Sequence, residues 1–162
     1  MFNYNARMHV TRFSDIGLRL MMYLGREQRT TPAVTVAEVA SQFAIPHNHL
    51  VKVVGLLARE GYIETIRGRS GGLRLARDAA DIRLGATVRV LEGVKELIDC
   101  EHLQCRLHPD CGLRHALHEA QHAFFAALDR YTLADIIAGK TGDAIALMHG
   151  HYLKLHPAAA TV

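Results

Sequence analysis

Apolar residues in the first sixty positions recur at the spacing of helices. In "TRFSDIGLRLMMYLG", Phe13, Ile16, Leu20 and Leu24 fall about one turn apart, with Thr11 placed as an N-cap and Gly25 as a stop. In "TVAEVASQFAI", Thr35 and Glu38 have capping-box spacing ahead of a stripe of Val36, Val39, Ala40 and Phe43, which predicts a second, short helix. "PHNHLVKVVGLLAREG" opens on Pro46, which suits a first helical turn. It then sets Leu50, Val53, Val54 and Leu57 at i, i+3, i+4 and i+7 before Gly61 closes the segment. Joined by the short "AIP" turn, the second and third helices predict a helix-turn-helix.

The period then changes. "YIETIRGRSGGLRLA" contains two short β-like runs separated by a glycine-rich turn that carries arginine, the pattern of a hairpin wing. The fold class expected is mainly α: a winged helix-turn-helix with a β-hairpin wing and a long C-terminal dimerisation helix. In that arrangement the helix after the turn enters the major groove of double-stranded operator DNA, and the wing follows the backbone or minor groove. The face opposite the apolar stripe carries His47, Asn48, His49 and Lys52, and the wing carries Arg67, Arg69 and Arg74. Asn suits base edges, whereas Lys and Arg suit phosphates.

Beyond the wing, Leu84, Val88 and Leu91 predict a fourth helix, and "LRHALHEAQHAFFAALDRYTLADII" predicts a long fifth one. Its stripe is Leu113, Leu117, Ala120, Phe124, Leu128 and Tyr131, and Thr132 caps a short last helix with Leu133, Ile136 and Ile137. A long apolar stripe outside a compact DNA-binding unit needs a covering surface, and the same helix of a second subunit supplies one, so a homodimer is expected. His115, His118 and His122 read as its polar flank. From Gly139 the periodicity is weak, and His149, His151 and His156 read as solvated side chains of a loose tail. The domain organisation expected is a DNA-binding domain over 8–92, a loop over 93–112, the dimerisation and terminal helices over 113–138, and a flexible tail over 139–162.

Charge sharpens the DNA reading. Residues 1–90 hold 13 Lys and Arg against 7 Asp and Glu, and residues 91–162 hold 6 against 9, so the net charge of +3 conceals a basic front half and an acidic back half. The opening "MFNYNARMHVTR" lacks the apolar run of a signal peptide and no stretch is apolar for the ~20 residues that span a bilayer, so a cytoplasmic protein is expected. There are no paired carboxylates and no nucleophile elbow, and "GRSGG" sits in a hairpin with no helix N-terminus after it to hold phosphate. The chain is read as non-enzymatic.

All 3 cysteines lie in "CEHLQCRLHPDC": Cys100, Cys105 and Cys111, spaced C-x4-C-x5-C. An odd number in a reducing compartment argues against a disulfide framework. Three thiolates suit a thiophilic metal or an iron-sulfur cluster, with one ligand still to be found. His102 or His108 would complete a zinc site of three cysteines and one histidine, and plain thiol redox sensing is a further alternative.

The segments "VTRFSDIGLRLMMYL", "HNHLVKVVGLLAREGYIETIRGRSGGLRLA", the cysteine loop and "LDRYTLADI" together resemble the iron-sulfur winged-helix repressors, from about Met8 to Ala138. That family has a nitric-oxide-sensing branch and a cluster-homeostasis branch. The second branch uses a histidine three residues past the third cysteine, a place held here by Arg114; the cysteine spacing and "LDRYTLADI" resemble the first. The resemblance implies a 4Fe-4S cluster (a 2Fe-2S form being the alternative) bound by Cys100, Cys105 and Cys111 and by Asp15 of the partner subunit. It implies a repressor that releases DNA when nitric oxide reacts with the cluster.

Overall fold

A computed structural model describes residues 10–26, 33–68, 71–93, 97–98, 100, 105–107 and 110–157. Helix α1 (Arg12–Gly25) runs through the middle of the core and buries Ile16, Leu20, Met21, Tyr23 and Leu24. Its N-cap is Thr11, whose hydroxyl accepts the Ser14 N–H at 3.3 Å. Helix α2 (Val36–Gln42) begins in the same way, with the Thr35 hydroxyl accepting the Glu38 N–H at 3.1 Å. The Glu38 carboxylate, expected at a capping box, is buried and accepts the Tyr23 hydroxyl at 2.8 Å.

Helix α3 (His47–Arg59) starts directly after Pro46 and buries the expected stripe of Leu50, Val53, Val54 and Leu57. Each of these side chains contributes about 1.5–3 kcal/mol through burial, enough to fix which face of α3 turns outward. The turn before it is tight: Ala44 takes the left-handed conformation at φ 50°, and the Ile45 N–H reaches back to the Ala40 carbonyl at 2.9 Å.

Strands β1 (Ile63–Ile66) and β2 (Gly72–Leu75) pair antiparallel, with Ile63 opposite Leu75 and Ile66 opposite Gly72. The Leu73 N–H donates to the Val34 carbonyl at 2.7 Å, so the segment before α2 extends the wing's edge. Gly72 is required there, because a Cβ would strike the Val34 carbonyl oxygen.

Helix α4 (Leu84–Glu92) packs on α1 and ends at Gly93, left-handed at φ 60°. Helix α5 (Gly112–Leu128) follows the cysteine loop and packs on α4. Between them, the Asp129 carboxylate accepts the Ala86 N–H and pairs with Arg89, both at 2.8 Å. Helix α6 (Leu133–Ile136) carries a full capping box from Thr132 and Asp135.

The expectation of a loose tail from Gly139 is corrected. Residues Gly139–Leu155 form a seventh helix, α7, which packs against α2 and buries Ile145 and His149, one turn apart. Its periodicity is hidden in the sequence because one of its buried positions is a histidine.

Candidate nucleic-acid interface and cysteine loop

The inward stripe of α3 leaves His47, Asn48, His49 and Lys52 exposed on the opposite face, as expected. Asn48 Oδ1 accepts the His49 N–H at 3.0 Å, which places its carboxamide beside the first turn. Pro46 has no N–H and Asn48 is the only side chain bonded at this helix start among the described residues. Sequence reasoning passed over Val51, which is 47 % exposed on the same outer region. The signal was present: Val51 is apolar but lies off the Leu50, Val53, Val54, Leu57 stripe. An apolar side chain there suits contact with a thymine methyl.

On the wing, Arg67 is exposed just after β1. Arg74 is exposed too, but its guanidinium bonds the Glu64 carboxylate across the strand pair at 2.7 and 2.8 Å. Arg69 lies outside the described residues, as do His102 and His108. At the base of the wing Arg77 donates to the carbonyls of Glu60 and Gly61 and stacks 4.5 Å over the Tyr62 ring, fixing the exit of α3 to the hairpin.

The cysteines occupy the connection between α4 and α5. Cys100 is buried, Cys105 and Cys111 are half-buried, and the Cys105 N–H donates to the Cys100 carbonyl at 3.2 Å. Cys111 is the residue from which α5 starts, its carbonyl accepting the His115 N–H. Asp15 lies far away in sequence, in the first turn of α1, half exposed, with its carboxylate held by Arg19 at 2.8 Å. Among the described residues, no three His, Cys, Asp or Glu side chains converge to hold a metal ion within one chain. The donors fit an iron-sulfur cluster in kind, since Cys100, Cys105 and Cys111 are three soft thiols close together in sequence.

The apolar stripe expected from α5 onwards is partly uncovered: Leu117 and Leu128 are half-buried, and Tyr131 lies beyond the helix end. Leu113 is 62 %, Phe124 40 % and Tyr131 48 % exposed, whereas Phe125, on the other face, is buried under Arg89. His115, His118 and His122 are exposed on the same helix, with the His118 and His122 rings 4.4 Å apart. No helix among the described residues is long and apolar enough to cross a membrane.

Two helices joined by a tight turn, a hairpin after them and a basic outer surface define a winged-helix regulator. The chain belongs to the Rrf2 family, described as iron-dependent transcriptional regulators, whose model matches residues 10–139. It is 40 % identical over 136 residues to the HTH-type transcriptional regulator NsrR of Bacillus subtilis, covering 82 % of this chain and 92 % of that one. To the regulator of the same name from Geobacillus kaustophilus it is 43 % identical over 136 residues, covering 80 % and 90 %. Among solved structures it resembles CymR, the global cysteine regulator of B. subtilis, with a TM-score of 0.65 at 23 % identity over 80 % of this chain and 96 % of that one. It also resembles IscR of T. potens, with a TM-score of 0.61 at 24 % identity over 80 % and 86 %. These likenesses establish the winged-helix fold. The protein is a transcriptional regulator and not an enzyme.

Proposed function

We propose that the chain is a homodimeric repressor that binds operator DNA while holding a 4Fe-4S cluster and lets go when nitric oxide reacts with it, derepressing genes of nitric-oxide detoxification or nitrogen-oxide metabolism. The observation that carries this reading is the cysteine loop. All 3 thiols of the chain fall in a single connection, between the helix that packs on α1 and the helix whose apolar face is uncovered.

When bound, the cluster supplies iron that nitric oxide can attack. Cys100, Cys105 and Cys111 would hold it from one subunit, and Asp15 of the partner would close the set. A carboxylate is a hard donor and a poor match for a thiophilic centre, so Asp15 is the ligand most easily given up. Arg19 already bonds Asp15 and can retain its charge when it is released. Because α1 packs directly on α3, a tie between the loop of one subunit and α1 of the other bears on the placement of both recognition helices. A dimer that must reach two half-sites at once is sensitive to small changes in that placement. For operator occupancy to move from ~99 % to ~1 %, affinity must fall by ~10⁴.

Anaerobic purification followed by absorbance spectroscopy and by iron and sulfide analysis tests the cofactor. A brown protein with matching iron and sulfide is expected; a colourless, zinc-loaded one would overturn the cluster. Anaerobic gel shifts titrated with nitric oxide test the response. The bound complex should vanish within a few molecules of nitric oxide per cluster. A complex that persists after full bleaching would leave a DNA binder that nitric oxide does not release.

A further inference from the structure

Apart from the cysteines, the chain carries a second set of side chains suited to a metal ion. Residues His118 to His122 read H-E-A-Q-H and lie within α5. On a helix the pattern H-E-x-x-H places two imidazoles one turn apart on one face, the spacing by which such helices hold zinc. The two rings lie together here, with centroids 4.4 Å apart and planes inclined at 51°. Both side chains are exposed. We propose that His118 and His122 form a binding site for zinc or a like divalent transition-metal ion on the surface of α5, separate from the cysteine loop.

The geometry needs little adjustment. Zinc takes imidazole nitrogens at ~2.0–2.1 Å in a tetrahedral shell, so two of them around one ion stand ~3.3 Å apart. Rings already in contact reach that separation by turning about their own side-chain bonds, and exposure leaves them room to turn. Among the described residues, no hydrogen bond or ion pair holds either ring in another orientation. Along the helix axis the pair is separated by ~6 Å, whereas His115 stands ~10.5 Å from His122, so the pair and not the row of three defines the site.

The donor set selects the class of ion. Imidazole suits zinc, copper and nickel, whereas magnesium and calcium take oxygen ligands. No third His, Cys, Asp or Glu joins the pair among the described residues, so water completes the shell. Catalytic zinc has three protein ligands, and two exposed ones make a site for binding without a catalytic constellation. At ~100° per residue, the pair lies ~130° around α5 from the stripe of Leu113, Leu117, Phe124 and Leu128, so a second copy seated on that stripe leaves it open to solvent. The pair also lies between Cys111, from which α5 starts, and Phe125, which sits under Arg89 of α4. An ion that joins the two side chains favours the helical form of that turn, and so stabilises the segment that leads from the cysteine loop into the rest of α5.

The test uses the full chain and reads zinc by difference, so whatever the thiols bind cancels and failure would leave the repressor reading standing. In equilibrium dialysis against zinc chloride, the parent should hold one more zinc ion per chain than the His118→Gln, His122→Gln double variant. Imidazole nuclear magnetic resonance during the titration should show the His118 and His122 signals shifting together, with a common midpoint. His122→Gln should raise the zinc concentration at the His118 midpoint at least ~10-fold, because the second, pre-placed imidazole is lost. His115→Gln removes an exposed imidazole outside the pair and should leave the midpoint in place. Equal zinc in the parent and the double variant would overturn the site, and one extra ion per two chains would move it to a contact between subunits. A His118 midpoint that stays put in His122→Gln, or that His115→Gln displaces as far, would refute the pairing.

Discussion

Glu92, the last residue of α4, accepts both the backbone N–H of Thr11 at 2.8 Å and its hydroxyl at 3.1 Å. Thr11 is the N-cap of α1, and Glu92 is followed directly by the left-handed Gly93 that starts the cysteine connection. The helix that bears Asp15 and the helix that leads to Cys100 are thus fastened at their ends within one subunit.

Breaking that fastening should cost stability. Partial burial pushes the Glu92 carboxyl up, but hydrogen bonds from Ser14 and from the N–H and hydroxyl of Thr11 outweigh it and hold the group below its ordinary value. Its contribution is therefore present above the ordinary glutamate range, about pH 4.3, and is lost as pH falls through the depressed value. Thr11→Ala and Glu92→Ala should each destabilise by about 1 kcal/mol at pH 7 in urea unfolding. The double variant should lose less than the sum. Full additivity would mean that the two residues act separately.

The fold was legible wherever burial follows an apolar stripe, and obscure where polar atoms do the packing. Leu50, Val53, Val54 and Leu57 announce α3, and the same spacing announces which side chains face outward. Helix α7 is poorly announced, since beside the apolar Ile145 its buried positions are a histidine, His149, set against Tyr23 of α1, and Gly142, which abuts the Ile137 carbonyl after α6. In α5 the adjacent Phe124 and Phe125 point to different surroundings, and spacing alone selects the exposed stripe without revealing that Phe125 is its inward counterpart. The cysteines declare their chemistry by type and proximity in sequence, whereas Asp15 becomes a candidate through resemblance alone, because a surface carboxylate paired with Arg19 is common on helices.

Gly85 of α4 lies directly against the end of α5. A Cβ there would strike the Phe125 carbonyl oxygen and the Asp129 carboxylate that caps Ala86 and pairs with Arg89. Gly85→Ala should destabilise by about 1–3 kcal/mol despite its better helix propensity. Thermal unfolding checks this, and Gly55→Ala, on a face with open space around it, is the control that should be neutral or stabilising.

The two described wing arginines should differ. Arg67 has no acidic partner among the described residues, whereas Arg74 already shares the Glu64 carboxylate. Arg67→Ala should weaken operator and random DNA alike and reduce the log-log salt slope by about 1, with a smaller change for Arg74→Ala. Asn48→Ala and Val51→Ala should instead narrow the gap between operator and random DNA. Fluorescence anisotropy across a salt series separates the outcomes. Uniform weakening by the α3 variants would remove base readout from that helix.

If the cysteine loop holds the cluster, its ligands should not be equivalent. Cys100→Ser, Cys105→Ser or Cys111→Ser should each abolish stable iron and sulfide, since the chain has no other cysteine to take its place. Asp15→Ala should keep most of the iron, because water or a buffer thiol can stand in for an oxygen ligand, and should change the rate of reaction with nitric oxide. Iron content and stopped-flow absorbance measure the two effects. An Asp15→Ala protein identical to the parent in both would exclude the carboxylate as a ligand.

The uncovered face of α5 makes a prediction about assembly. Leu113 and Phe124 on α5, and Tyr131 just beyond it, are large, apolar and at least 40 % exposed in the single chain, while the inward face of the same helix is anchored independently by Phe125 and by the Asp129 contacts to α4. A charge at Phe124 should leave the subunit's fold intact and penalise burial of that face against a second copy, because an unpaired carboxylate in an apolar contact is strongly disfavoured. Phe124→Glu should sediment as a monomer at concentrations where the parent is a dimer, with unchanged helicity and with operator affinity reduced through loss of the second half-site. A Phe124→Glu protein that remains dimeric would move the interface off this stripe, and a parent that is monomeric would remove the paired half-sites, and with them the cross-subunit place for Asp15.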